Sequence, residues 1–495
     1  MSPRGALPSK RVPLILGTVL CLAIALQVAW LGTRSADLSA NVLESGHTLF
    51  LPSIDRNYLD PTHRLSRFGV GKDNIVTSYM FPLRDLRVGW YWDWWTRTKP
   101  ERPGGVGYLH TVRLSQTGPT TYEVAPSLAD LTSIVAANRG AVWMIGNEPD
   151  CRSQDDLEPG VYARAYHDLY AYIKGLDDTA QISAAAIVQP TPIRLLYLDT
   201  VLSEYRSLYG GQMPVDVWNI HMHVTRERDC AYHPEDCWGS GVPSGIGVTE
   251  GMLYEIDDNA DVEIFKGLVM TFREWMAERG YHERPLYITE FGVVMWPDYV
   301  GPERVVEFMS GSIDYLLTAS DPTIGYPADN NRLVQRFAWY SLADSNFNGW
   351  LFDPVTKQRT VFGDRYAAIA AAQPATVNLY AWKLWTEPSA PISLGGAGDS
   401  VRVSATIVNN GNVQTRHAIS VRFFNGDPTS GGTQIGETQF VDRLEGGAGL
   451  AIVSVPWTPA EAGTYRLYVQ VDAPSVIRET DEGDNTTSIE VVVSE

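Results

Sequence analysis

Two glutamates, Glu148 and Glu290, each follow a short apolar run of the chain, WMIGNE and LYITE. In a barrel of parallel strands the carboxyl ends of the strands face the active-site mouth, so a carboxylate that ends a strand is positioned for chemistry. Hydrolysis of a glycosidic bond needs two carboxyl groups, one to protonate the leaving oxygen and one to attack or to activate water. We therefore expect the two glutamates to face each other. The alternative is that each one caps a helix or pairs with an arginine.

Other polar and aromatic residues belong to the same predicted strands. His221 and His223 end the run VDVWNIHMH, and they share one face because side chains alternate along a strand. Arg113 ends YLHTVRL and would keep a nearby nucleophile ionised by its opposite charge, or would form an ordinary salt bridge. In the run WYWDWW we expect Trp90 and Trp92 to contribute to sugar subsites and the remaining indoles to pack in the core.

The elements that would position these residues follow a βα pattern from Leu83 to about Ala372. The predicted strands are LRVGWYW, YLHTVRL, AVWMIGN, QISAAAIV, VDVWNIH, PLYITEF and RFAWYSL, and TYEVA at 121–125 could supply an eighth. Amphipathic helices such as SLADLTSIVAANRG and VEIFKGLVMTFREWMAERG lie between the strands. The number of βα units, and the lack of a glycine-rich nucleotide motif after the first strand, favour a closed (β/α)8 TIM barrel over an open sheet.

The chain changes character near Ala375, where alternating strands separated by Gly, Asn and Pro turns begin. The predicted strands are VRVSATIVNN, ISVRFFNG, GLAIVSVPW, GTYRLYVQVD and TTSIEVVVS. Their spacing predicts an immunoglobulin-like β-sandwich. The predicted fold class is therefore α/β, with a TIM barrel over residues 83–374 and a sandwich over residues 375–495.

The amino-terminal region has several basic residues followed by the apolar run VPLILGTVLCLAIALQVAWLG. Such a run is long enough to cross a hydrocarbon core, and no clear small-residue cleavage pattern follows it. We expect residues 1–34 to form an uncleaved membrane anchor, with a cleaved signal peptide as the alternative. Residues 35–82 are expected to be a juxtamembrane extension that lies outside the cytoplasm with the rest of the chain.

Composition narrows the possible partners. The formal net charge of −19 argues against nucleic-acid binding, because that needs a basic surface to neutralise phosphates. The chain has 15 Trp and 24 Tyr, a number of aromatic residues that suits both a large core and sugar platforms. An uncharged substrate such as a neutral carbohydrate fits this composition best.

The two glutamate motifs resemble those of clan A of the glycoside hydrolases. NEP at 147–149 and TEFG at 289–292 are similar to the motifs that follow strands four and seven of that clan. The resemblance implies that Glu148 is the acid/base, that Glu290 is the nucleophile and that Asn147 binds the sugar 2-hydroxyl. Within the clan, the aromatic first strand and the extended NEPD are similar to the "glycosyl hydrolase catalytic core" group, which includes family 128 β-1,3-glucanases.

Two further roles rest on the same resemblance. Trp339, in the last predicted strand, resembles the aromatic residue on which the sugar at the cleavage site stacks. His221 or His223 would correspond to the residue that touches the nucleophile.

The carboxyl-terminal region resembles the CARDB β-sandwich, a cell-adhesion-related domain of bacteria. The resemblance is carried by the segments IVNNG, VPWTP, GTY and ETDEGDN. It implies a spacer, or an appendage that contacts the cell surface or a polysaccharide, and it implies no catalytic role.

Three cysteines follow the apolar segment, Cys151, Cys230 and Cys237. A disulfide between Cys230 and Cys237 fits an oxidising compartment and would leave Cys151 unpaired. The alternative is a zinc site in which His221, His223, Cys230, His233 and Cys237 supply the ligands. Structural zinc sites have tighter paired spacings, so we predict neither a metal nor another cofactor.

These observations predict an extracytoplasmic retaining glycoside hydrolase, either membrane-anchored at the cell surface or secreted. It would cleave β-glycosidic bonds of an oligo- or polysaccharide by double displacement. The expected partners are the carbohydrate, the membrane through the amino-terminal segment, and a cell surface or polysaccharide through the sandwich. The alternative is a non-catalytic cell-surface protein that binds carbohydrate or mediates adhesion.

Overall fold

The computed structural model of the protein describes residues 64–72, 81–393 and 400–494. The predicted membrane segment and most of the predicted juxtamembrane extension lie outside the described residues. Among the residues described, no helix combines the length and the apolar character needed to span a membrane.

Strands and helices alternate in the first two-thirds of the described chain. The strands are β1 (Leu65–Gly71), β2 (Val88–Trp92), β3 (Gly107–Tyr108), β4 (His110–Gln116), β5 (Tyr122–Ala125), β6 (Val142–Ile145), β7 (Gln181–Ala184), β8 (Trp218–Met222), β9 (Leu286–Phe291) and β10 (Arg336–Trp339). The helices are α1 (Leu83–Leu86), α2 (Leu128–Ala137), α3 (Pro159–Leu176), α4 (Pro192–Tyr209), α5 (Val262–Glu278), α6 (Pro302–Thr318) and α7 (Val361–Ala371).

All of these strands except β5 pair in parallel. They form two sheets, with the orders β3-β2-β1-β10-β9-β8 and β5-β4-β6-β7. Two parallel bridges, Ser183 with Val217 and Ile187 with Ile220, connect the region of β7 to that of β8. At the other junction β3 and β4 are separated by a single residue, Leu109. The region is thus mixed α/β with a barrel-like parallel sheet.

The seven predicted strands are present, but the additional one is not TYEVA. Residues Tyr122–Ala125 pair antiparallel with β4 as a hairpin arm, so they are not part of the parallel arrangement. The additional parallel strand is β1, which pairs with β2 and β10 and lies before Leu83, where the sequence analysis started the catalytic region. Its sequence, LSRFGVG, contains two glycines, and a Cβ at Gly69 would overlap the Trp90 indole. Tertiary packing, and not an apolar pattern, therefore defines this strand.

Helix ends follow ordinary capping rules. Ser127 accepts a hydrogen bond from the backbone N–H of Asp130 at the start of α2, and Asp261 accepts two at the start of α5. Helices α3, α4 and α6 begin with proline, whose fixed φ suits the first helical position. Gly210 caps the carboxyl end of α4 with φ of 76°, the left-handed conformation that glycine adopts readily.

The carboxyl-terminal third consists of strands only, apart from one short 3-10 turn among its described residues. The strands are β11 (Leu379–Glu387), β12 (Ile392–Ser393), β13 (Val401–Asn409), β14 (Ile419–Asn425), β15 (Thr433–Val441), β16 (Gly449–Trp457), β17 (Gly463–Val471) and β18 (Thr486–Ser494). They form a three-stranded sheet, β11-β13-β16, and a five-stranded sheet, β12-β18-β17-β14-β15. This region is sandwich-like, as predicted, and contains β11, β12 and β15 in addition to the five predicted strands.

The sandwich packs against the amino-terminal ends of the parallel strands. The backbone N–H of Ser66 in β1 donates to the carbonyl of Asn412, in the loop after β13, at 2.8 Å. The Ser66 hydroxyl donates a hydrogen bond to Glu445 at 2.9 Å, and Tyr380 of β11 donates to the Ala328 carbonyl at 2.6 Å. The sandwich therefore occupies the end of the parallel strands opposite to their carboxyl termini.

Candidate functional site

Glu148 lies three residues after the end of β6, in a tightly held turn. Its φ of 46° is in the left-handed region, which is uncommon for a residue with a side chain and is often found at functional sites. The backbone N–H of Glu148 donates to the Ala186 carbonyl at 3.0 Å, and the Glu148 carbonyl accepts from the Cys151 N–H at 3.0 Å. These bonds hold the turn, and the glutamate is almost completely buried, with 6% of its surface exposed.

Glu290 is the second-last residue of β9. It pairs directly with His221 of the neighbouring strand β8, so the register of the two strands brings these side chains together. Gly292 follows two residues later, and a Cβ there would lie 2.5 Å from the carbonyl oxygen of Tyr340. The glycine of the TEFG motif thus permits the close approach of the chain that follows β10.

The two glutamates and the two histidines form one cluster. Nδ1 of His221 lies 2.6 Å from Glu148 Oε1, and its Nε2 lies 3.6 Å from Glu290 Oε1. His223 Nε2 lies 3.0 Å from Glu290 Oε2. Each of the four side chains has one nitrogen or oxygen atom that lies within 4.8 Å of the corresponding atoms of the other three. The predicted meeting of Glu148 and Glu290 is therefore present in the structure, with His221 between them.

The electrostatics of the cluster favour an ionised Glu290. Burial alone would raise the pKa of Glu290, but the charge of His221 and hydrogen bonds from His223 and Trp94 outweigh burial and hold this pKa below the usual value. Burial would lower the pKa of His221, yet the charges of Glu290 and Glu148 and the hydrogen bond with Glu148 raise it. Ionised Glu290 and protonated His221 thus stabilise each other.

A buried ion-pair network supports the turn that carries Glu148. Arg194 of α4 donates to Asp150 Oδ2 at 2.6 Å and to Glu227 Oε1 at 2.7 Å, and all three side chains are fully buried. The same guanidinium donates to Ser240 Oγ at 2.8 Å. Arg194 therefore connects the turn after β6 to the loop after β8. No local sequence pattern indicates this network, because its partners are far apart in the chain; the one available signal is the second carboxylate of NEPD.

Asn147 and Arg113 both bind residues of the segment that follows β6, namely Gln154 and Asp155. The Asn147 side chain donates to Gln154 at 3.2 Å, and its backbone N–H donates to Asp155 at 2.8 Å. Arg113 forms a 2.6 Å ion pair with Asp155, and not with Glu290. The ordinary salt bridge, which the sequence left open as the alternative for Arg113, is the one present. Arg113 consequently stabilises the segment just after β6 and does not set the charge of the nucleophile.

The predicted tryptophans are buried. Trp339 has no exposed surface, donates its indole N–H to the Gly349 carbonyl at 2.8 Å and packs edge-on against Phe291. The expectation that a sugar stacks on Trp339 is wrong, because neither face of its ring is accessible. Trp90 and Trp92 are also buried, in a cluster of strand residues separate from the main core.

Two other aromatic residues reach the cluster instead. The half-buried Trp94 donates its indole N–H to Glu290 Oε1 at 2.6 Å and contacts Trp92 at a ring distance of 4.9 Å. Tyr340, the residue after Trp339, lies 5.9 Å from Trp94 and 6.3 Å from His223 between ring centroids. The expected aromatic contact with the site is therefore made one residue later than the sequence suggested.

The cysteine-containing zinc site is excluded. Cys230 and Cys237 form a disulfide with Cα atoms 4.9 Å apart, and Cys151 is buried and unpaired, as expected. Oxidised sulfurs cannot act as thiolate ligands. Two imidazoles and two carboxylates remain close enough to be metal ligands, although these four groups hydrogen-bond one another.

The chain matches two known families. Residues 69–250 match the family described as "Glycosyl hydrolase catalytic core", and residues 387–489 match CARDB. Among curated proteins, none matches the chain.

Similar solved structures include GH128 glucanases and CARDB domains. A GH128 (subgroup II) endo-β-1,3-glucanase from Pseudomonas viridiflava is 18% identical and covers 61% of this chain and 97% of its own, with a TM-score of 0.40. A GH128 (subgroup III) curdlan-specific exo-β-1,3-glucanase from Blastomyces gilchristii is 16% identical, with coverages of 61% and 97% and a TM-score of 0.39. The CARDB domain of a Pyrococcus furiosus protein is 20% identical and covers 24% of this chain and 90% of its own, with a TM-score of 0.20.

The family matches agree with the resemblances noted in the sequence. The chain joins a segment of the glycosyl hydrolase catalytic core family, residues 69–250, to a CARDB domain, residues 387–489, and it is a glycoside hydrolase.

Proposed function

We propose that the protein is an extracytoplasmic, retaining β-glycoside hydrolase in which Glu290 is the nucleophile and Glu148 the acid/base. The observation that carries the proposal is the pair itself. One oxygen of each carboxylate lies within 4.8 Å of the other, and the two glutamates lie at the carboxyl ends of the parallel strands β6 and β9. Retaining enzymes separate their carboxyl groups by about 5 to 5.5 Å, whereas inverting enzymes leave about 6.5 to 9.5 Å for a water molecule.

The proposed roles follow from the surroundings of each carboxylate. Glu290 accepts hydrogen bonds from Trp94 and His223, and its lowered pKa keeps it ionised for attack. Glu148 Oε1 lies 2.6 Å from Nδ1 of His221, a hydrogen-bond distance, so the histidine can pass a proton to the carboxyl that protonates the leaving oxygen. Different environments for two adjacent carboxyl groups are the usual basis for assigning an acid and a nucleophile.

The reaction then takes two balanced steps. In the first, Glu290 bonds to the anomeric carbon while the glycosidic C–O bond breaks and Glu148 gives its proton to the leaving oxygen. In the second, Glu148 takes a proton from water, the hydroxyl bonds to the anomeric carbon and the ester with Glu290 breaks. Both glutamates end in their starting protonation states.

The arrangement of the domains supports this function. We take the parallel strands to form one closed (β/α)8 barrel, supported by the bridges between the β7 and β8 regions and by the near-continuity of β3 and β4. The catalytic region would end near residue 374 and the sandwich would begin near residue 375. Because the sandwich packs on the end opposite to the glutamates, we assign it a spacer or surface-contact role and no part in the cleft.

The proposed location outside the cytoplasm rests on the amino-terminal apolar run and on the disulfide. A membrane anchor formed by residues 1–34 would hold the enzyme at the cell surface. A disulfide between Cys230 and Cys237 suits an oxidising compartment.

Hydrolysis of glycans by the protein and its variants tests the proposal. β-1,3-Glucan is the first substrate to try, because of the resemblance to the family 128 group, followed by a panel of aryl β-glycosides. We expect Glu290→Gln and Glu148→Gln to lose turnover by orders of magnitude while remaining folded. Glu263→Gln, an exposed glutamate on α5, is the matched control. Equal activity of the wild type and Glu290→Gln would refute the proposal. The alternative, a non-catalytic protein that binds carbohydrate, would then be favoured.

A further inference from the structure

We propose that Tyr340, Phe347, Trp296 and Tyr299 form an aromatic track that binds consecutive sugar rings of a neutral β-linked glycan chain. The inference rests on the proposed function and extends it, because it assigns subsites beyond the sugar bound at the two glutamates. It also predicts a preference for long substrates over short ones.

The four rings form a continuous series. Tyr340 lies 6.4 Å from Phe347, Phe347 lies 6.1 Å from Trp296, and Trp296 lies 6.0 Å from Tyr299, all measured between ring centroids. The series begins at the catalytic cluster, since Tyr340 contacts both Trp94 and His223. It therefore leads outward from the nucleophile without a gap.

The outer end of the track is strongly exposed. Trp296 has 55% and Tyr299 58% of its surface accessible, whereas Trp92 and Trp339 near the site are buried. An exposed group of large apolar rings commonly marks a binding surface. Sugar rings present flat faces of C–H groups, and aromatic rings of tyrosine and tryptophan combine an apolar face with a polar atom at the edge. Such rings next to two catalytic carboxylates fit a glycan better than another protein.

The backbone holds the rings in position. The track belongs to the two segments that follow β9 and β10, and Asn348 joins these segments. Its backbone N–H donates to the Met295 carbonyl at 2.9 Å, and its buried side chain donates to the Val300 carbonyl at 2.5 Å. Met295 and Val300 flank the segment that carries Trp296 and Tyr299. The platform is therefore preorganised, which lowers the entropy cost of binding.

Charge near the track indicates which glycans it accepts. Asp344 accepts a hydrogen bond from the Tyr340 hydroxyl at 2.5 Å, and the exposed Asp298 lies between Trp296 and Tyr299 in the chain. Carboxylates at these points would repel uronic acids and can accept hydrogen bonds from sugar hydroxyl groups. We therefore assign the track to a neutral glycan.

A chain-length series tests the track. The wild type, Trp296→Ala and Tyr299→Ala are compared by kcat/KM on β-1,3-linked glucose oligomers of increasing length. Phe440→Ala is the matched control, because Phe440 is an exposed ring, 67% accessible, on β15 of the sandwich. We expect each track variant to reduce the ratio of kcat/KM on long oligomers to kcat/KM on short oligomers by about tenfold. This is the effect expected from the loss of one ring-stacking contact together with the apolar area that it buries. The control should keep the wild-type ratio.

Binding provides the second measurement. Calorimetric titration of Glu290→Gln with the longest soluble oligomer reports affinity without turnover, and the same titration is repeated with Trp296→Ala added. A weaker affinity in the double variant supports the track. An unchanged long-to-short ratio together with unchanged affinity overturns the track and leaves the catalytic proposal intact. Failure of the catalytic proposal is recognised separately, by equal turnover of wild type and Glu290→Gln.

Discussion

Replacement of Arg194 by methionine tests how the fold holds the acid/base in place. The guanidinium is fully buried and forms ion pairs with Asp150 at 2.6 Å and with Glu227 at 2.7 Å. It also donates to the backbone carbonyl of Asp150 at 2.9 Å. Arg194→Met keeps the length and apolar stem of the side chain but leaves two buried carboxylates without their counter-charge.

The structure allows the cost to be estimated. Removing one partner of a buried ion pair costs about 3–5 kcal/mol, because the remaining charge stays buried and unpaired. Burial already raises the pKa of Asp150 despite the charge of Arg194 and its hydrogen bond, so loss of Arg194 favours the protonated carboxyl further. The turn that carries Glu148 would then be less well fixed, and a misplacement of about 1 Å reduces kcat/KM about 100-fold.

The assay combines urea unfolding with kinetics. The matched control is Arg304→Met, since Arg304 forms an ion pair of similar length, 2.5 Å, with Asp257 at an exposed site. An exposed pair contributes at most about 1 kcal/mol. In the double variant Arg194→Met/Asp150→Asn one of the two unpaired charges is absent and only Glu227 remains, so part of the lost stability should return. If Arg194→Met is no less stable than Arg304→Met, the buried network does not hold this turn and the reasoning is refuted.

Four further predictions concern the site. His221→Asn removes a charge that lowers the pKa of Glu290, so this pKa should rise and the acidic limb of the kcat/KM–pH profile should move to higher pH; an unmoved limb contradicts the assigned coupling. Because the pKa of Glu290 is lowered in the folded protein, ionised Glu290 stabilises the fold, and this contribution should be lost as the pH falls through the lowered pKa. Acid unfolding of the wild type and of His221→Asn measures this loss. Zn²⁺ should inhibit the enzyme by binding the two histidines and the two glutamates. A chelator should reverse this inhibition and should not reduce the activity below its starting level. Loss of activity with the chelator alone would instead indicate that the enzyme requires a metal. Gly292→Ala should reduce both activity and thermal stability, because its Cβ would lie 2.5 Å from the Tyr340 carbonyl oxygen, whereas Gly175→Ala, at an open position in α3, should be stable.

Much of the catalytic region was predictable because its signals are local. The apolar strands that end at Glu148 and Glu290 have short, self-contained patterns, and parallel pairing brings such ends together. Strand β1 escaped detection because Arg67 and Gly69 interrupt its apolar pattern, and only their distant partners Asp329 and Trp90 make them suitable for the interior.

The aromatic contact with the site was misplaced for a different reason. The pairing of β9 with β10 changes register between Phe337 and Trp339, so strict alternation does not indicate which ring faces the glutamates. Trp339 packs against Phe291 and Phe308, and Tyr340 contacts His223 of the cluster. Arg194 was missed because its two carboxylate partners lie 44 and 33 residues away, a separation at which no local pattern exists.

The most direct test of the central claim is to trap the covalent intermediate and identify the labelled residue. The protein is incubated with a 2-deoxy-2-fluoro-β-glycosyl fluoride of the sugar that it hydrolyses, and its peptides are analysed by mass spectrometry. The account predicts one glycosyl group on the peptide that contains Glu290. A label on Glu148 or elsewhere, or consumption of the reagent with no labelled peptide, would contradict it.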